Sequence, residues 1–160
     1  MDLSLFITQE GMDKIQRRIQ YLMAEERPET IKALMIAREF GDLSENAEYK
    51  AAREKQRQID TEVDRLRRRA AHLKVIDISV FPKDKVRFGS VCETLDTESG
   101  EEICYQVVGV DEIIFHDKEG IQAVSVLSPI GQSLLGKCVG EIAVVKAPIG
   151  DRYLEITAIL

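Results

Sequence analysis

The sequence predicts an α+β chain of two unlike halves. A long antiparallel helical hairpin, packed as a coiled coil, is expected over residues 1–77, and a small β-rich domain with one short helix over residues 78–160. Three observations carry this reading. Apolar side chains recur at three-four spacing in the first half, and the period shifts towards two beyond Val75. Two of the ten glycines fall before residue 78 and eight after it. The first half holds fifteen basic and fifteen acidic residues, whereas the second holds seven and thirteen and so carries the whole net charge of −6.

The first helix is expected from Thr8 to about Phe40, a stretch dense in Glu, Lys, Arg, Gln, Ala, Met and Leu. Thr8 and Glu10 suit a helix start. Met12, Ile15, Ile19 and Leu22 form a coiled-coil seam; beyond Pro28 the apolar set resumes at Ile31 and Leu34, so the seam shifts or kinks there without the helix ending. The second helix has the cleaner stripe, Tyr49, Ala52, Gln56, Ile59, Val63, Leu66, Ala70 and Leu73. Gly41 fits the left-handed stop of the first helix, and the short connection at 41–46 makes the two helices antiparallel neighbours. About 30 residues per arm at 1.5 Å each gives a rod roughly 45 Å long, too slender for an internal active site but able to reach into something else.

In the second half, β-branched runs at 75–80, 86–95, 103–110, 123–127, 142–146 and 154–159 read as strands separated by Ser99-Gly100, Glu119-Gly120 and Ile149-Gly150-Asp151. Ser128 as N-cap, Pro129 at the first helical position and Gly136 after Leu135 frame one short helix. An antiparallel sheet covered by that helix is the simplest packing of these parts.

Composition narrows the chemistry. No run approaches the ~18 apolar residues of a membrane span, and Met1–Glu10 lacks a basic n-region, so a cytoplasmic chain with no membrane partner is expected. Cys92, Cys104 and Cys138 are too few and too scattered for a disulfide framework or a metal knuckle and read as small buried hydrophobes. Two distant histidines leave little for zinc or imidazole chemistry. No nucleophile elbow, phosphate loop or dinucleotide fingerprint is present.

The unusual place is the hairpin tip. Asp42 and Glu45 are oxygen ligands of the kind that suit Mg²⁺, which takes one or two carboxylates and fills its shell with water and phosphate. On that reading Asp42 helps hold a metal ion and Glu45 orients or deprotonates an attacking water. The same Asp-x-x-Glu spacing is a capping box, with Asp42 as N-cap and Glu45 at N3 of the second helix. Behind the tip, Lys50, Arg53 and Arg57 share one face, and Arg38 ends the first arm. They read either as a track for a nucleic-acid backbone or as a solvated flank paired with Glu39, Glu48 and Glu54.

The run Ala37-Arg38-Glu39-Phe40-Gly41-Asp42-Leu43-Ser44-Glu45-Asn46-Ala47-Glu48-Tyr49-Lys50-Ala51-Ala52-Arg53-Glu54 resembles the tip signature of the bacterial transcript cleavage (Gre) factor family. The likeness extends to Leu3–Met12, Arg27-Pro28-Glu29, Val75-Ile76-Asp77, Ser128-Pro129-Ile130 and Leu135-Gly136-Lys137. It implies a globular domain similar to FK506-binding proteins that docks at the rim of the RNA polymerase secondary channel, with Ser128, Pro129 and Ile130 on the docking segment. It implies further that the rod enters the channel and stimulates cleavage of the nascent transcript in backtracked complexes. Asp42 and Glu45 would then act at the polymerase Mg²⁺, with no cofactor bound by the chain alone, while Arg53, Lys50, Arg57 and Arg38 meet the extruded RNA 3′ end. A monomer is expected, since each helix covers the stripe of the other. Family members commonly show Ser-Pro-Ile-Ala-Arg where this chain has Gly131-Gln132, and Leu127 replaces a polar residue; these departures bear on docking affinity. The rival readings are a Gre-like channel blocker that inhibits without cleavage and, last, a prolyl isomerase, for which no Trp and five Phe leave little aromatic lining.

Overall fold

A computed structural model of the chain describes residues 2–42 and 46–160, so Glu45 lies outside the described residues. The chain divides into two compact units, residues 13–72 and residues 1–12 with 73–160. The expected boundary at 77 is therefore displaced, and the first twelve residues belong with the globular unit. The physical reason is a pair of short strands: β1 (Phe6–Thr8) lies parallel to β2 (Lys74–Ile76), Ile7 opposite Val75.

The helical unit follows the predicted seam. Helix α1 (Gln9–Tyr21) passes through one π-helical turn (Leu22–Glu26) into α2 (Arg27–Arg38), and α3 (Ala47–His72) returns along it. Ile59, Val63 and Leu66 are buried on α3, with Tyr49, Ala52, Gln56 and Ala70 half-buried on the same stripe. The π turn locates the seam shift. Pro28 has no N–H and its ring would strike the carbonyl four residues back in a regular helix, so the backbone widens just ahead of it, with Arg27 N–H reaching the Leu22 carbonyl. Leu22 and Thr30 are consequently the buried positions, eight residues apart rather than seven, and Ala37 follows, while Ile31 and Leu34 are only half-buried. Arg18 to Glu62 (3.1 Å) and Arg27 to Asp60 (2.9 Å) cross between the arms in antiparallel register.

The globular unit is a five-stranded sheet in the order β5-β4-β3-β7-β6, formed by β3 (Val91–Asp96), β4 (Glu102–Val108), β5 (Gln122–Ser125), β6 (Ile142–Val145) and β7 (Arg152–Ile159). It is mixed rather than antiparallel, because β4 and β5 run parallel. Helix α4 (Pro129–Leu134) joins β5 to β6. The predicted strand at 75–80 is cut short: the Asp77 carboxylate accepts from the N–H and hydroxyl of Ser79 (3.1 and 2.5 Å) and caps a 3-10 turn over Ile78–Val80. Tyr105, Val107, Val126, Leu134, Leu154 and Ile156 centre the core. Of the cysteines only Cys92 is fully buried, its thiol pushed up to about 12 by burial and, secondarily, by Cys104; Cys138 is exposed, which corrects its reading as a core residue.

One buried carboxylate fixes the amino-terminal strand in this unit. Glu112, 5% exposed, accepts from the Thr8 N–H (2.9 Å), the Thr8 hydroxyl (2.5 Å) and the Gly109 N–H (2.9 Å). The Thr8 hydroxyl in turn accepts from Gly11 N–H (3.1 Å), so the residue that ends β1 also caps α1. Replacing Glu112 by Ala strands these buried donors and is expected to cost about 3 kcal/mol in urea unfolding, with Glu112→Gln losing less. Alkylation at pH 8 should label Cys138 well ahead of Cys92, as peptide mapping will show.

Candidate functional site at the hairpin tip

The tip is built by three local devices. Helix α2 ends at Arg38, with the Phe40 N–H reaching the Ala37 carbonyl (3.2 Å), and Gly41 then takes φ +101, a conformation that side-chain-bearing residues rarely adopt. Asp42 follows it and is exposed. Asn46 starts α3, its Oδ1 accepting from the Tyr49 N–H (2.9 Å). The N-cap is therefore Asn46 and not Asp42, so Asp42 does not serve as the cap of α3. Asn46 is also the residue that the spacing argument passed over. The signal was present, a strong cap type immediately before Ala47-Glu48 and three residues ahead of Tyr49, but Asp42 competed for the same role.

Asn46 does more than cap. Its Nδ2 donates to the Ala37 carbonyl at 2.7 Å, tying the start of α3 to the end of α2. Beside this bridge the Arg38 guanidinium lies over the Tyr49 ring, 5.8 Å from its centroid. Arg38 therefore braces the tip as well as bordering it. Lys50, Arg53 and Arg57 are exposed, as the expected track requires, but Arg57 pairs with Glu54 at 2.9 Å. The flank is thus solvated, with one of its cations paired to a neighbouring carboxylate. A shallow groove of about 520 Å³ runs along it, lined by Arg53, Gln56, Arg57, Asp60, Thr61 and Asp64, so its charge is mixed. Met35, Ile36 and Phe40 are exposed apolar side chains at the end of α2, Phe40 by 70%.

The metal reading meets a clear limit. Among the described residues no group of three or more His, Cys, Asp or Glu side chains could hold a metal ion. An exposed Asp42 suits an ion whose other ligands come from elsewhere, within the one or two carboxylates typical of Mg²⁺.

The segment expected to dock, Ser128 to Ile130, lies in the other unit. Ser128 accepts from the Gly131 N–H (3.0 Å), donates to the Ser125 carbonyl (2.7 Å) and caps α4, with Pro129 at its first position as predicted. Ile130 packs half-buried on the core; Leu127 and Gln132 are exposed. Gly131 has a steric reason, since a Cβ there would collide with the Ser125 backbone carbonyl. Gly131 thus lets α4 lie tightly against the end of β5.

A family model described as Transcription elongation factor, N-terminal, matches residues 5–75, and one described as Transcription elongation factor, GreA/GreB, C-term, matches residues 81–160. The chain belongs to the GreA/GreB transcription elongation factor family. Transcription elongation factor GreA of Rhodospirillum rubrum is 42% identical over 153 residues, covering 96% of this chain and 95% of its own length. That of Thioalkalivibrio sulfidiphilus is 42% identical over 154 residues with the same coverage. Among solved structures, GreA factor homolog 1 (Gfh1) of Thermus thermophilus is 26% identical, covers 98% of each chain and superposes with a TM-score of 0.42. No helix among the described residues of this Gre factor is long and apolar enough to cross a membrane.

Gly131→Ala is expected to lower stability by about 1–3 kcal/mol, because the added methyl meets backbone that cannot swing away; thermal unfolding followed by circular dichroism checks it.

Proposed function

We propose that this chain enters the secondary channel of RNA polymerase and stimulates endonucleolytic cleavage of the nascent transcript in backtracked complexes, restoring a 3′ end for elongation. The observation that carries the reading is an exposed Asp42 set just beyond a helix stop, at the turn of a paired helical hairpin. Family membership supports it. The chain is then an accessory factor, and the cleavage belongs to polymerase. It acts as a monomer in the cytoplasm, where polymerase works.

The roles follow from the chemistry. Asp42 would hold one side of the polymerase Mg²⁺, which supplies charge stabilisation at the scissile phosphate. Glu45 would orient a water and take its proton. The water oxygen joins phosphorus, the bond to the 3′ oxygen breaks, and that oxygen takes a proton to become the new 3′ hydroxyl, leaving a 5′-phosphate on the released fragment. Arg53, Lys50, Arg57 and Arg38 would contact the extruded RNA 3′ end. Ser128, Pro129 and Ile130 would sit at the channel rim on a short helix rigidly tied to the sheet by the Ser128–Ser125 bond. The exposed Met35, Ile36 and Phe40 are surface that a channel wall would cover.

The test is a halted, backtracked elongation complex. Addition of the chain should accelerate transcript shortening, and Asp42→Asn with Glu45→Gln should remove about 100-fold or more of that stimulation without changing the concentration that half-saturates polymerase. Equal cleavage by the double variant would sink the assigned roles. Slowed elongation without cleavage by the wild type would instead favour the channel-blocking reading.

A further inference from the structure

We propose that Asn46 is a positioning residue of the tip, whose amide bridges the two helix ends and holds Asp42 in its reactive placement. The inference rests on the cleavage reading above and adds a residue to it.

The argument begins with what a cap needs. Starting α3 requires one acceptor for the Tyr49 N–H, and Ser, Thr or Asp supply that as well as Asn does. Of these only Asn also carries a donor. Here the donor is used. Asn46 Nδ2 meets the Ala37 carbonyl at 2.7 Å, while Oδ1 takes the Tyr49 N–H at 2.9 Å. The carbonyl it meets also takes the Phe40 N–H at 3.2 Å, so the bond reinforces the stop of α2, and it lies on Ala37, 2% exposed and so fixed by packing. One short side chain thus pins residue 46 to residue 37.

The pinned interval carries the chemistry. Asp42 lies within it, as does Glu45 by sequence, and Gly41 supplies its turn. Closing the base of so short an interval narrows the conformations open to Asp42. A second clamp lies alongside, because Tyr49, whose N–H Asn46 receives, is the ring under the Arg38 guanidinium. Precision matters to any carboxylate that must complete another protein's metal site, since a displacement of about 1 Å costs on the order of 100-fold in rate.

The experiment uses the full chain with the backtracked complex and compares wild type with Asn46→Ser and Asn46→Asp, which keep the cap and lose the donor. Both should retain the melting temperature and a half-saturating concentration within about twofold of wild type, with a maximal cleavage rate at least about tenfold lower and a need for more Mg²⁺. Wild-type rates in both variants would overturn the proposal, as would a loss that merely followed a lowered melting temperature or weaker polymerase binding. A wild type that does not stimulate cleavage would defeat the functional reading instead. The positioning claim is then decided by the backbone order parameter of the Asp42 amide, which should fall in both variants and which, if unchanged, overturns it.

Discussion

Everything at the tip depends on an apolar seam that neither helix could do without. Helices without tertiary partners are marginal in water, and α3 is charged along most of its surface, so its helicity is secured by burying Ile59, Val63 and Leu66. At roughly 1.5–3 kcal/mol per buried aliphatic side chain, those three outweigh the cross-arm ion pairs Arg18–Glu62 and Arg27–Asp60, which are part-exposed and worth about 0–1 kcal/mol each. The pairs therefore select register and the seam supplies stability. A tip made this way needs no core of its own, which is what lets a carboxylate stand exposed at the end of it.

The π turn and the Asn46 bridge are linked through that seam. Pro28 would break a regular heptad, and the widened turn absorbs it by letting one residue slip. The slip brings Thr30 and Ala37 to the buried positions in place of Ile31 and Leu34. Thr30 settles its hydroxyl on the Glu26 carbonyl (2.8 Å), and Ala37, small and buried, presents the carbonyl that Asn46 reaches. An irregularity about fifteen residues ahead of the tip thus determines which carbonyl is available to close it.

What was legible in the sequence was whatever repeats or sits next to its own partner. The α3 stripe could be read because its period is sustained for more than three heptads, and Gly41, Ser128 and Pro129 because caps and stops act over three or four residues. What was not legible acts at a distance or lacks a period. Strands of three residues such as β1 and β2 show no alternation, and Glu112 meets Thr8 across 104 positions. The parallel pairing of β4 with β5 leaves no mark on either strand, since alternation reports burial and not direction. Asn46 was legible in type but not in role, because Asp42 four residues earlier is an equally good cap and only the true start of α3 separates them.

The charge distribution acquires its sense from these placements. The helical unit, slightly basic over residues 13–72, concentrates basic side chains behind Asp42, yet Arg57 is paired with Glu54, Arg68 with Asp64, and the groove along α3 contains two aspartates. A track so diluted would hold RNA weakly by itself, because each phosphate contact contributes through counterion release and few uncompensated cations are available. Weakness is no handicap where a second domain supplies the encounter. On the proposed reading, docking of the globular unit would raise the effective concentration of the tip into the range where weak contacts are filled, and an unanchored tip would have little affinity for transcripts elsewhere. The acidic globular unit and the paired arginines of the rod would then serve one end, that the carboxylates meet RNA only where polymerase presents it.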